Sequence, residues 1–110
     1  MAHHLNAFFS ALSDPTRRAV IERLVTGPAT VSDLAAPHDM ALPTFLRHLK
    51  VLEDSGIVRS AKTGRVRTCR IATEPLVAAQ DWLAWQRAIW EGRNDRLSKL
   101  AEQLEKDKTP

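Results

Sequence analysis

The chain has 110 residues, of which 44 % are hydrophobic and 26 % charged, and it carries a net charge of +3. That size suits one small domain that gains from a partner subunit, and no apolar run approaches the roughly 20 residues of a bilayer span. One cysteine cannot close an internal disulfide, so a reducing cytoplasm is expected and a membrane is not.

In chain order, Leu5, Phe8, Phe9 and Leu12 recur at helical spacing and predict a short first helix. Ser13 and Asp14 precede Pro15, a cap followed by proline at the first helical position, and open a second helix that Gly27-Pro28 stops. Thr30 with Asp33 resembles a capping box and starts a brief third helix through Val31, Leu34 and Ala35. After the turn at Pro37-His38-Asp39, a fourth helix is expected from about Ala41 to Asp54. Leu42, Phe45, Leu49 and Leu52 form its buried stripe and Gly56 ends it. Two strand-like runs follow, Ile57–Lys62 and Arg65–Ala72, joined by Thr63-Gly64 as a β-hairpin.

From Thr73 to about Glu105 the pattern is helical again. Leu76, Leu83, Trp90, Leu97 and Leu104 repeat every seven residues, with Trp82, Trp85 and Ile89 on the adjoining flank. Together they cover close to half the circumference, more than one small domain would bury, so Leu83, Trp90, Leu97 and Leu104 are expected at a dimer interface. The tryptophans read as core and interface anchors. Gly92 in mid-helix predicts a kink or a close backbone approach. Met1–His4 and about Lys106–Pro110 are expected to fray.

The positive charge is concentrated. Residues 41–70 hold seven Lys and Arg against two Asp and Glu, while 1–40 and 71–110 are each slightly acidic. Two helices joined by a short turn and followed by a basic hairpin describe a winged helix-turn-helix, and double-stranded DNA is the partner such a patch fits. On the fourth helix Thr44 and Arg47, with His48 beside them, are candidates for base edges and Lys50 for the backbone. In the hairpin, Lys62, Thr63, Gly64, Arg65 and Arg67 are candidates for the sugar-phosphate rail or the adjacent minor groove. The expected architecture is mainly α with a small β-hairpin: one domain over 1–110, with the helix-turn-helix at 30–54, the wing at 57–72 and a long dimerisation helix at 73–105.

Three segments resemble the ArsR/SmtB group of bacterial transcription repressors: Leu12 through Asp14-Pro15-Thr16-Arg17-Arg18, Val31 through Ala35, and Met40 through Arg47-His48-Leu49-Lys50-Val51-Leu52-Glu53. The resemblance spans about residues 5–105. It implies a homodimer with the first helix (Leu5, Phe8, Phe9) and the last helix at the interface, and repression from a palindromic operator. Two positions depart from the group's habit. Leu46 stands where relatives often carry Ser, which suggests packing or apolar contact with a thymine methyl instead of a polar contact. Ala41 replaces an initial Ser and weakens the cap.

Metal-sensing members place Cys-Val-Cys-Asp-Leu where this chain has Thr30-Val31-Ser32-Asp33-Leu34, and no His follows His48. No metal ligand set or cofactor is therefore expected. Cys69, alternating with Ile71, reads as a small buried hydrophobe. A ligand-free pattern with a Trp-rich last helix resembles the branch often encoded beside a START-like protein, which implies an autorepressor. Two alternatives stand beside it: the same repressor gated by a small-molecule or redox effector near Trp82–Trp90, or a winged-helix protein-interaction module. No arrangement of residues suggests an enzyme.

Overall fold

Local capping signals set where two of the helices begin in the computed structural model, which describes residues 2–107. Helix α1 (Ala2–Leu12) leads into α2 (Pro15–Val25), where the Asp14 carboxylate accepts the Arg17 backbone N–H at 3.1 Å and Pro15 occupies the first turn. A two-residue strand, β1 (Ala29–Thr30), passes directly into α3 (Val31–Ala35), with the Thr30 hydroxyl accepting the Asp33 N–H at 3.1 Å. Helix α4 (Leu42–Asp54) starts after Ala41 with no side-chain cap and Pro43 in its first turn. Strands β2 (Val58–Thr63) and β3 (Val66–Ile71) follow, then α5 (Glu74–Asp107).

Three elements differ from expectation. The strand β1 pairs antiparallel with β3, Ala29 opposite Cys69 and Thr30 opposite Thr68, giving a three-stranded sheet in the order β1-β3-β2. Two residues are too few to show an alternating pattern, so only the pairing reveals this strand. In the hairpin Thr63 faces Val66, which makes Gly64-Arg65 the turn and places Thr63 in the strand. Gly64 has a φ of 63°, the left-handed conformation that such a two-residue turn demands. At the ends, α1 begins at Ala2 and α5 reaches Asp107, so the helices extend into the segments expected to fray, while Met1 and residues 108–110 lie outside the described residues.

The chain divides into two units, Met1–Ala79 and Gln80–Pro110. In the first, Phe45, Leu49 and Leu52 of α4 meet Val20, Ile21 and Leu24 of α2, Leu34 of α3, and Ile57, Val58 and Cys69 of the sheet. Phe8 and Ala11 of α1 complete this core, and Ala79 closes it. Phe8 is only 4 % exposed, which removes it from the expected dimer contacts. Its position three residues before Ala11 turns it inward with that residue. Leu5 packs half-buried on the same core, and Phe9 stays exposed with its ring edge-on to Phe8, centroids 5.5 Å apart.

The second unit is the remainder of α5. Trp82, Leu83, Trp85, Ile89, Trp90, Leu97, Leu100 and Leu104 are each 44–66 % exposed, so the tryptophans are not core residues. At about 100° per residue these eight side chains fall within an arc of about 160°. The helix continues unbroken through Gly92, and a Cβ added there would meet nothing within 4 Å among the described residues. Among the described residues no close backbone approach occurs at Gly92. No described helix is long and apolar enough to cross a membrane.

Candidate nucleic-acid interface

Helix α4 is seated by one face and offers the other. Phe45, Leu49 and Leu52 are at most 1 % exposed, and the His38 ring from the preceding turn stacks on Phe45 with centroids 5.5 Å apart. The opposite face carries Pro43, Thr44, Arg47, Lys50 and Val51, all exposed. Arg47 stands almost diametrically opposite the buried stripe and makes no hydrogen bond or ion pair with the described residues. Lys50 reaches Asp54 at 3.3 Å, an exposed pair of little energetic weight that leaves the ammonium exchangeable. Leu42, expected in the buried stripe, is 55 % exposed. It precedes the first seated residue by three positions, and the helix leaves the core before reaching it.

His48 is turned away from the Thr44–Arg47 face. Its Nδ1 lies 3.0 Å from an Arg17 guanidinium nitrogen and 3.7 Å from the Asp14 carboxylate. The same guanidinium donates to the Ala11 and Ser10 carbonyls at 2.8 and 3.0 Å, satisfying the end of α1. Arg17 thus ties α1, α2 and α4 together. Partial burial works to raise the Asp14 pKa, but the Arg17 N–H, the nearby His48 and Arg17 charges and the Thr16 N–H outweigh it and hold the carboxyl below its ordinary value.

The wing divides in two. Lys62, Thr63, Gly64 and Arg65 at its tip are exposed, and Lys62 and Arg65 make no ion pair with the described residues. Arg67, grouped with them on sequence grounds, is latched to α4 instead. Its guanidinium pairs closely with the Glu53 carboxylate, its Nε donates to the Ser60 hydroxyl at 2.9 Å, and that hydroxyl donates to Glu53 at 3.0 Å. Residues 53, 60 and 67 belong to three elements, and no local spacing announces their meeting. The latch fixes the wing against the end of α4. Glu53→Ala should therefore lower stability by about 1 kcal/mol in urea unfolding, discounted because Arg67 still touches water. An unchanged midpoint would show that the latch contributes nothing.

Cys69 lies beneath this latch, fully buried, and burial, reinforced by the Glu53 charge and opposed by Arg67, pushes its thiol up. Between the start of α4 and the wing runs an open groove of about 450 Å³ whose lining includes Leu42, Leu46, Lys62, Arg65 and Val66. None of its lining residues is acidic.

The positions matching the thiolates of metal-sensing relatives do not fit a metal. Thr30 is engaged as the α3 cap and Ser32 presents an exposed hydroxyl. Among the described residues no three His, Cys, Asp or Glu side chains converge.

Residues 12–61, which include all of α4, match the family described as a helix-turn-helix domain. The chain is 36 % identical over 83 residues to the HTH-type transcriptional regulator Rv2034 of Mycobacterium tuberculosis, covering 74 % of this chain and 78 % of that one. It is 29 % identical over 91 residues to the transcriptional repressor SdpR of Bacillus subtilis, covering 83 % and 99 % respectively. Among solved structures, the ArsR family transcriptional regulator RHA00566 superposes with a TM-score of 0.80 at 58 % identity, covering 83 % of this chain and 94 % of that one. An exposed helix face beside a cationic wing agrees with this degree of identity: the chain belongs to the ArsR family of winged helix-turn-helix transcriptional regulators.

Proposed function

We propose that the protein is a homodimeric repressor that occupies an inverted-repeat operator and works without a metal switch. The observation that carries this reading is Arg47 at the crest of an exposed helical face, together with the wing cations Lys62 and Arg65, none of them ion-paired among the described residues. An α-helix fits the major groove of B-DNA, where a guanidinium pairs through two hydrogen bonds with guanine O6 and N7. Thr44, one turn earlier, reaches the neighbouring base pair, while Lys50, Lys62 and Arg65 meet phosphates. The Arg67–Glu53 latch holds the wing at a set distance from α4, so both can engage one duplex together.

The dimer is supported by the eight apolar side chains crowded into one arc of the second unit. An exposed apolar surface of that extent is costly unless covered, and a symmetric helix pair covers both copies at once. Two equivalent reading helices require two equivalent half-sites, hence a palindrome. The relative SdpR is a repressor, which supports the direction of regulation. Absence of a metal switch is supported by the capping duty of Thr30 and the hydroxyl at Ser32.

Salt dependence and competition test the reading. Three phosphate-facing cations per protomer give about six in the dimer, and the logarithm of affinity should fall with log salt at a slope of roughly −5. At moderate salt, binding to the protein's own upstream DNA should survive an excess of random duplex. Retention that random DNA abolishes at equal concentration would contradict sequence-specific repression.

A further inference from the structure

Three apolar side chains stand in the open along the groove between α4 and the wing: Leu42, Leu46 and Val66, at 55, 38 and 51 % exposed. They line one groove with Lys62 and Arg65 and no carboxylate, so its charge favours a polyanion while its walls favour a hydrocarbon. Leu42 and Leu46 are four residues apart and form one ridge on the wing side of α4. Arg47 is the residue next to Leu46 and occupies the crest. Leu46 lies about 100° round the helix from Arg47, on the side that borders the wing, and among DNA bases the apolar feature of the major groove is the pyrimidine 5-methyl group.

Resting on the DNA-reading function proposed above, we infer that Leu46, backed by Leu42, is a specificity-determining residue that recognises a 5-methylpyrimidine adjacent to the guanine held by Arg47. The groove between α4 and the wing receives that methyl group. Its cations hold the flanking phosphates, which keeps the apolar wall pressed against the base edge. The chemistry is shared by thymine and by 5-methylcytosine, and the half-site therefore holds a methylated pyrimidine next to the guanine.

The test uses the full-length protein and the duplex it selects from random DNA, with affinity read by fluorescence anisotropy at one salt concentration. Deoxyuridine in place of a single thymine removes one methyl group and leaves the base-pairing edge unchanged; 5-methylcytosine in place of cytosine adds one. At one position per half-site, uracil should weaken binding about three- to tenfold if thymine is the natural base, or cytosine methylation should tighten it as much if cytosine is. The Leu46→Ala protein should bind methylated and unmethylated versions equally. A specific operator whose affinity ignores every such exchange overturns the inference, as does a Leu46→Ala protein that keeps the full methyl sensitivity. Selection that enriches no motif at all overturns the DNA-reading function itself, and this inference with it. Because the base exchanges are made in the DNA and read with the natural protein, that arm of the test does not depend on how well the variant folds.

Discussion

Replacing Arg47 with alanine should remove most of the preference for the operator and leave the fold intact. Arg47 is exposed and makes no bond to the described residues, so the protein loses nothing that holds it together. A guanidinium paired with guanine is worth about 1–3 kcal/mol of discrimination. In a symmetric dimer the loss occurs twice, and operator affinity should drop by a factor of roughly 30 to 10⁴. Binding to random duplex should fall far less, because Lys50, Lys62 and Arg65 still meet the phosphates. Arg47→Lys should recover charge but not discrimination, since an ammonium lacks the planar fork. The measurement is the ratio of operator to random-duplex Kd for the three proteins at one salt concentration. An equal drop on both duplexes would make Arg47 a phosphate contact and move the base reading elsewhere on α4.

The second large effect is expected on α5. Trp90→Glu combined with Leu97→Glu places two carboxylates in the middle of the apolar arc, where an interface would have to bury them. Desolvating unpaired carboxylates costs several kcal/mol each, enough to dissociate a helix pair at micromolar concentration. Sedimentation should give twice the 12.3 kDa chain mass for the natural protein and the single chain mass for the double variant. Operator affinity should fall by at least a hundredfold, since each half-site then binds alone and the advantage of linked sites is gone. Both positions are already exposed, so the helical circular dichroism should be retained. A double variant that remains dimeric would place the interface off this arc.

Much of this architecture is legible in the sequence, where the cause lies within a few residues. Asp14-Pro15, Thr30 with Asp33, and Gly56 announce helix ends because a cap is a bond between near neighbours. The seven-residue repeat in α5 is equally local. What escapes is whatever depends on a partner far along the chain. His48 reads as a base contact until Arg17 and Asp14 are folded against it. Arg67 reads as a wing cation until Glu53 and Ser60 close on it. Phe8 reads as an interface residue until the core takes it up, and Leu42 reads as core although α4 leaves the core before that turn. The two-residue strand at Ala29–Thr30 exists only through its pairing with Cys69 and Thr68. At the candidate site the cations of α4 and the wing tip are visible in the sequence as charge, whereas the groove between α4 and the wing needs the folded chain.

Selection of bound sequences from a random DNA pool is the most direct test that two copies of α4 enter successive major grooves. The account predicts an inverted repeat whose half-site centres lie about 10–10.5 base pairs apart, or a multiple of that, each half containing a guanine whose replacement Arg47→Ala no longer senses. Recovery of a solitary half-site, or of no shared sequence, would contradict it.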